Sequence, residues 1–411
     1  MTIALADTPV VLVNGARQTG KTTLVQKVAA EKQPSAYFSL DDAATLSAVR
    51  ADPTGFLAAL DGLVVIDEVQ KAPGLLSALK VAVDRDRRPG RFLLTGSADV
   101  LMLPEVSESL AGRMEILTLW PFSQGEIEGK EDCLLELLFE DRLDLTGLED
   151  AEIARQWVDR VIRGGFPEVV RREDQQRRQA WLASYLTAIL QRDIRDLANI
   201  EGLTEVPRLL SLLAARVGYL LNKAELSRAT QLPYTTLKRY LSLLELTFLV
   251  QPLPAWSGNL GKRLTRSPKM HLCDSALTAH LNGLTEDGLG RRPELKGPLL
   301  ENFAVMELRK QASWCKRHVS LFHYRTHTNQ EVDIVLEDRA GTIVGIEVKA
   351  TATLGKRAFK GLEALAHDAG DRFLRGIVLY TGGNPLTFTP KHHALPLSVL
   401  WQATPQKRDV S

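Results

Sequence analysis

The residues Gly15, Gly20, Lys21 and Thr22 fall within the run Val10-Val-Leu-Val-Asn-Gly-Ala-Arg-Gln-Thr-Gly-Lys-Thr-Thr23. Their types and spacing suit the binding of a polyphosphate. Glycines let a backbone wrap an anion, so that the N–H groups of Gly15, Ala16, Gln18, Thr19, Gly20 and Thr23 point inward, together with the positive end of the helix that follows. The Lys21 ammonium then reaches the β- and γ-phosphates, and the Thr22 hydroxyl is a ligand for Mg²⁺. The four fixed residues coincide by chance in roughly one or two chains of this length per hundred at average residue usage. The surroundings make accident rarer, because an apolar strand delivers the loop and Leu24, Val25 and Val28 supply the apolar spacing of a helix behind it. An ordinary glycine-containing strand-to-helix turn is the competing explanation.

A triphosphate site needs a further carboxylate for its metal. The run Gly62-Leu-Val-Val-Ile-Asp67-Glu68 provides one at the C-terminal end of an apolar strand, where ligands bind in open α/β sheets. Asp67 would complete the Mg²⁺ shell, and Glu68 would polarise the attacking water. A third strand ends in Thr95-Gly-Ser97, small polar groups suited to sensing a γ-phosphate. Arg113 is a candidate for a charge that meets the γ-phosphate in cis or from a neighbouring subunit, with a plain surface arginine as the alternative.

A second constellation lies near the C-terminus. The stretches Glu331–Glu337 and Thr342–Lys349 alternate as strands around the turn residues Asp338-Arg-Ala-Gly341, which predicts a hairpin. A turn centred on Ala340 makes Asp333 and Glu347 cross-strand neighbours and puts Lys349 on the face of Glu347. Upstream, the amphipathic stretch from Leu299 can aim Glu301 at the same point. Two or three carboxylates and a lysine in this order resemble the active site of restriction-endonuclease-like folds, where acids hold Mg²⁺ and the lysine steadies the attacking water. Glu-x-Lys alone carries no weight, since average composition yields about one per chain of this size. A surface salt bridge, or a nuclease core kept as scaffold, competes with active cleavage. His323 and His327 are read as structural.

The elements that must position these groups follow the hydrophobic pattern. Strand-like runs at 10–14, 36–40, 62–67, 91–95 and 115–119 alternate with helical stretches and predict a five-stranded α/β core ending near Pro121-Phe122. Residues 126–150 hold ten acids and two bases, read as a solvated connection with one amphipathic helix. An arginine-rich helical stretch follows, broken at Gly164-Gly-Phe-Pro167. From 204 to 254 three helical runs and a strand predict a helix-turn-helix with a wing. Its third helix would present Thr235, Thr236, Lys238 and Arg239 to the major groove of double-stranded DNA, and the basic stretch Lys262–Lys269 could extend a phosphate-binding face. Such modules also serve as spacers or protein docks. The expected organisation is a nucleotide core over 1–125, an acidic connection and helical lid over 126–203, a winged-helix-like module over 204–270, and a nuclease-like α/β domain over 271–411.

Bulk properties bound the context. At 411 residues and 45% hydrophobic content the chain can build several packed cores. Its net charge of +1 gives no global field for nucleic acid, so any such binding must be local. Cys133, Cys273 and Cys315 are widely spaced and odd in number, which predicts buried thiols and a reducing compartment, with neither disulfide framework nor zinc site. No apolar run approaches the roughly 18 residues of a membrane span, and no basic-then-apolar signal opens the chain. The expectation is a cytoplasmic protein.

Taken together, Gly15–Thr22, Ile66-Asp-Glu-Val-Gln70, Leu94-Thr-Gly-Ser97, Leu110-Ala-Gly-Arg113, Gly164–Pro167, Gly297-Pro-Leu-Leu-Glu-Asn-Phe303, Glu331-Val-Asp333 and Glu347-Val-Lys349 resemble prokaryotic AAA-superfamily ATP-binding proteins with a C-terminal domain of unknown function 4143. The resemblance covers nearly the whole chain. It departs at Ala16, where the family usually has Pro, and in the short lead before the first strand. It implies ATP use and a nuclease-like C-terminal fold. Two functional classes follow: a Mg²⁺-dependent ATPase that engages DNA, with or without cutting it, or a nucleotide-gated switch whose C-terminal domain is an inert protein-interaction scaffold. Self-association is compatible with both.

Overall fold

The computed structural model describes residues 1–32, 34–97, 112–130, 133–143, 145, 156–194 and 205–403. Leu110 and Ala111 of the arginine motif, and parts of the acidic connection and lid, lie outside these residues. Two compact units result: Met1–Trp120 with Ser242–Leu249, and Pro121–Leu241 with Val250–Ser411.

The first unit is built on β1 (Val10–Asn14), β2 (Ser35–Ser39), β3 (Leu63–Asp67), β4 (Phe92–Gly96) and β5 (Met114–Thr118). All pair in parallel, in the order β2-β3-β4-β1-β5. β1, β3 and β4 are buried at every residue, as expected of parallel strands covered on both faces. Period-two alternation divides their side chains cleanly. Val10, Leu12, Val64, Ile66, Phe92 and Leu94 pack with Leu75 and Leu79 of the helix Gly74–Arg85. Val11, Val13, Val65 and Leu93 pack with Val25 and Val28 of the helix Lys21–Glu31. Each such side chain contributes roughly 1.5–3 kcal/mol on burial, so the sheet that carries the loop is rigid. Because β4 lies between β1 and β3, the ends of three neighbouring strands meet at one edge. That edge brings together residues 14, 67 and 95.

The second unit holds a C-terminal mixed sheet and the helices around it. The helices Val206–Ala215, Lys223–Thr230 and Tyr234–Leu246 precede an antiparallel ribbon of β6 (Val250–Leu253) and β7 (Lys269–Leu272). The helix Tyr234–Leu246 contributes its last turn to the first unit. Then β8 (Val319–Arg325), β9 (Glu331–Asp338) and β10 (Ile343–Lys349) form an antiparallel meander. A crossover helix, Lys360–Ala369, leads to β11 (Phe373–Tyr380), parallel to β10, and β12 (Leu386–Thr389) and β13 (His392–Pro396) complete six strands. The helix Lys296–Ala312 packs on this sheet: Leu300, Phe303 and Ala304 share a core with Ile334, Ile346, Leu379 and Trp401.

The acidic segment contains a short helix, Leu134–Leu138, whose Leu134, Leu135 and Leu138 join that same core with Phe139, so the amphipathic helix expected there is anchored by its leucines. One expectation is corrected here. Cys133 and Cys315 form a disulfide, their Cα atoms 6.2 Å apart across 182 residues of sequence, while Cys273 is a buried free thiol. Sequence spacing could not reveal a pairing made by packing two distant helix ends, and the argument for a reducing compartment loses that support. The break at Gly164-Gly-Phe-Pro167 has a steric cause: a Cβ on Gly165 would lie 2.0 Å from the Phe122 carbonyl oxygen, whose residue donates its N–H to Gly165 O at 2.9 Å. Among the described residues no helix is long and apolar enough to cross a membrane.

Candidate functional site

The loop after β1 turns at Gly15, whose φ of 143° and close approach to Leu119 exclude a side chain: a Cβ would meet the Leu119 carbonyl oxygen at 2.1 Å. Gln18 and Gly20 also take positive φ, 63° and 97°, and Gly20 caps the helix that begins at Lys21. Thr19 Oγ1 donates to Ala16 O at 3.0 Å, closing the loop on itself. The buried Lys21 ammonium donates to Gly15 O at 2.9 Å and Ala16 O at 2.8 Å, so it lies over the loop interior. Thr23, in the first turn of the helix, is exposed by comparison with Lys21 and Val25.

Asp67 sits at the end of β3, buried to 3%. It accepts from Thr22 Oγ1 at 2.9 Å, from Tyr37 OH at 3.0 Å and from Thr95 Oγ1. The Tyr37 phenol is pushed up to about 12 by burial and by the Asp67 charge. Thr95 Oγ1 also accepts the Glu68 backbone N–H at 2.9 Å. Glu68 has a left-handed φ of 64°, a conformation that costs a non-glycine residue roughly 1 kcal/mol or more, and Thr95 helps to hold it there. Gln70 Nε2 bridges the Glu68 carboxylate and Ser97 Oγ, the latter at 2.9 Å. Thr22 and Asp67 offer a hydroxyl and a carboxylate side by side, hard oxygen donors of the kind Mg²⁺ takes.

Arg113 is not brought to this cluster. β5 starts at Met114, opposite Val10, so Arg113 precedes the edge where β1 begins. The phosphate loop leaves β1 at Asn14, four residues on, about 13 Å away at the strand rise. Arg113 instead pairs with Asp84 at 2.7 Å. A role in cis is therefore corrected: the strand direction puts this arginine at the wrong end of the sheet for its own loop.

In the second unit the hairpin register runs from Ile343↔Glu337 to Ile346↔Ile334, so the next pair is Glu347 opposite Asp333. Asp333 Oδ2 accepts the Val348 N–H at 2.9 Å, and Lys349 Nζ donates to Glu347 Oε1 at 2.5 Å. Glu301, from the helix Lys296–Ala312, faces the same cluster. Lys269, read as part of an exposed basic face, is 1% exposed and donates to Glu301 Oε1 at 2.9 Å and Asp333 Oδ1 at 3.1 Å, with Glu331 Oε1 2.5 Å away. Alternation explains this: β7 pairs with β6, and with Met270 and Leu272 buried on one side, Lys269 and His271 fill the other. Burial opposes the Lys269 charge, but Asp333, Glu301 and Glu331 outweigh it and raise its pKa. Burial and Asp333 push Glu347 up to about 8 and Glu301 well above the ordinary carboxyl range. Burial, then Lys269, holds His271 well below the usual imidazole value. His323 is buried, its Nε2 3.1 Å from Ser267 O, and His327 is exposed.

On the helix Tyr234–Leu246, Leu237 and Tyr240 are buried while Thr235, Lys238 and Arg239 are exposed and Thr236 is half-buried. Lys238 Nζ lies 4.8 Å over the Tyr234 ring.

The parallel sheet with its glycine loop, lysine and strand-end aspartate defines a nucleotide-binding P-loop protein, and residues 7–128 match the family model of an AAA domain. Residues 296–400 match a domain of unknown function, DUF4143, and residues 154–288 another, DUF8612. An uncharacterised protein of Mycobacterium tuberculosis is 33% identical over 352 residues, covering 85% of this chain and 72% of its own length. One from Methanocaldococcus jannaschii is 22% identical, covering 76% and 68%. A signal transduction ATPase with a tetratricopeptide repeat sensor from Pyrococcus horikoshii overlays with a TM-score of 0.24 at 13% identity, over 75% of this chain and 44% of that one. The chain belongs to the prokaryotic family that joins an AAA-type ATPase domain to a C-terminal DUF4143 domain.

Proposed function

We propose that the protein is a Mg²⁺-dependent ATP hydrolase whose turnover is tied to double-stranded DNA. The observation that carries the hydrolase reading is the convergence of Lys21, Thr22, Asp67, Glu68 and Thr95 at one edge of a rigid parallel sheet. Bound ATP would draw the Lys21 ammonium from the Gly15 and Ala16 carbonyls to its β- and γ-phosphates. Thr22 and Asp67 would hold Mg²⁺, which when bound would supply positive charge against the phosphates. Glu68 orients and polarises the attacking water, and Thr95 with Ser97 senses the γ-phosphate through their bonds to Glu68 N–H and Gln70. Arg113 serves a nucleotide only across a subunit contact, which makes self-association part of the reading. The DNA reading rests on the exposed Thr235, Lys238 and Arg239 on the third helix of a three-helix and ribbon arrangement, used as a winged helix, with the protein working in the cytoplasm.

A second reading is favoured by the ion-paired state of the C-terminal cluster. There the protein is a nucleotide-gated switch and the C-terminal domain is a scaffold without nuclease activity. Phosphate release from ATP and Mg²⁺, measured with and without duplex DNA and with Lys21→Ala as the blank, separates the two. Several-fold stimulation by DNA supports the first. Turnover that needs Lys21 but ignores DNA selects the second, and no Lys21-dependent turnover overturns the hydrolase reading itself.

A further inference from the structure

The carboxylates Glu301, Asp333 and Glu347 have the composition of a divalent-cation site, but the structure already holds a cation among them. The Lys269 ammonium lies within 2.9 Å of Glu301 and 3.1 Å of Asp333. It arrives on β7, outside the six-stranded sheet, and is sealed in place from the segment before the second helix. Gly218, at φ 78°, sits so close that a Cβ there would lie 2.9 Å from Glu301 Oε2. Its N–H bonds Met270 O at 2.9 Å, and Leu220 bridges Lys269 itself. On the other side of the cluster, Glu347 Oε2 is buried with no hydrogen-bond partner among the described residues. A buried carboxylate oxygen in that state is costly unless a cation or water completes it.

We propose that Lys269 is the resident cation of this site: its ammonium takes the place of a divalent ion between Glu301 and Asp333, and the C-terminal domain neither binds such an ion there nor cuts nucleic acid while Lys269 is in position. A lysine and a divalent ion compete for the same oxygens. Coulomb repulsion at these separations disfavours their coexistence strongly even at an effective dielectric of about 20. The ammonium is also a monovalent donor with three N–H bonds, which Glu301, Glu331 and Asp333 accept in full. It offers no open coordination position to polarise water or phosphate, so the acids are structurally committed. The corollary is a latent site of stated chemistry. Replacing Lys269 with an uncharged side chain leaves the oxygens of Glu301, Glu331 and Asp333 that now accept its N–H bonds without their cation, hard donors of the kind Mn²⁺ or Mg²⁺ takes. This inference does not depend on whether the P-loop hydrolyses ATP.

The test is calorimetric titration of the nucleotide-free full chain with Mn²⁺, in the wild type, in Lys269→Met, and in each with Asp333→Asn added. The expected result is no Asp333-dependent binding in the wild type. Lys269→Met should take one Mn²⁺ at least about tenfold tighter, about 1.4 kcal/mol, and lose it when Asp333→Asn is added. Should Lys269→Met not fold without metal, Lys269→Met/Glu331→Gln, which removes one charge of each sign, takes its place. Folding of the single variant only with Mn²⁺ present also supports the proposal. A wild-type Mn²⁺ site abolished by Asp333→Asn would overturn it, and so would a folded Lys269 variant that binds no Mn²⁺.

Discussion

Replacing Thr95 with valine isolates the link between the strand-end aspartate and Glu68, the residue proposed to activate water. The two side chains have nearly the same shape, and valine suits a buried strand, so the change removes one hydroxyl from a residue with no exposed surface. That hydroxyl accepts the Glu68 N–H and donates to Asp67. Leaving the Glu68 N–H unsatisfied costs about 1–3 kcal/mol. The loss at Asp67 adds about 1 kcal/mol, because Thr22 and Tyr37 still donate to that carboxylate. The total, about 2–4 kcal/mol, divides between stability and catalysis. Glu68 is held at φ 64°, and without Thr95 its backbone relaxes toward ordinary dihedrals and carries the carboxylate off the water. Positioned proton acceptors contribute about 10²–10⁴-fold, so kcat should fall tenfold or more, about 1.4 kcal/mol of activation energy. KM for ATP should change less than kcat, because Lys21 and the loop are positioned by their bonds to Gly15 and Ala16. Steady-state phosphate release and urea unfolding on the same preparation measure both shares. A kcat within about twofold of wild type alongside a clear stability loss would show that Thr95 only fills the core, and would refute the route through Glu68.

Lys21→Ala should abolish turnover and leave folding intact, since its Nζ bonds the loop carbonyls of Gly15 and Ala16; thermal melting with and without ATP checks both halves. Lys238→Ala should reduce the salt dependence of duplex DNA binding by about one unit of slope if the helix Tyr234–Leu246 meets phosphate, and an unchanged slope in filter binding would remove that contact. Reducing the Cys133–Cys315 bond should lower the unfolding midpoint of the second unit: releasing 182 residues of loop corresponds to about 5 kcal/mol in the chain-entropy account, read as a melting shift with and without dithiothreitol. His323, held near 4 by burial and the Lys269 charge against an ordinary 6.5, stays neutral in the folded state. The unfolded chain therefore binds the extra proton, and stability falls as pH drops from 6.5 toward 4, by about 3 kcal/mol from this residue. In His323→Gln that slope should flatten, as urea midpoints at pH 7 and pH 5 would report.

The two candidate sites differ in how far sequence could describe them, and the difference is physical. The phosphate loop is local: Gly15 through Thr23 is one strand-to-helix turn, and its partners Asp67 and Thr95 are the ends of continuous apolar runs whose parallel pairing is forced by burial on both faces. Arg113 escaped this logic because its motif carries no strand direction. Only the register Val10↔Met114 shows it at the far edge of the sheet. The hairpin was likewise readable, since a turn centred on residue 340 fixes Asp333 opposite Glu347 whatever surrounds them. What sequence could not supply was the occupant. Lys269 stands among Lys262, Arg263 and Arg266 and shares their composition, so by residue type it belongs on a solvated face. Its burial follows instead from a pairing of β6 with β7 and from a docking of that ribbon on acids 32 and 64 residues further on. Charge pattern along a chain reports what solvent and nearest neighbours see, whereas neutralisation of a buried cluster is decided by whichever side chain the tertiary fold delivers. The ion pairs at Lys269 thus weigh against reading nuclease chemistry from Glu301, Asp333, Glu347 and Lys349 alone. Glu301, Glu331 and Asp333 already share a covalently attached cation, and that commits them to holding the β6–β7 ribbon in place.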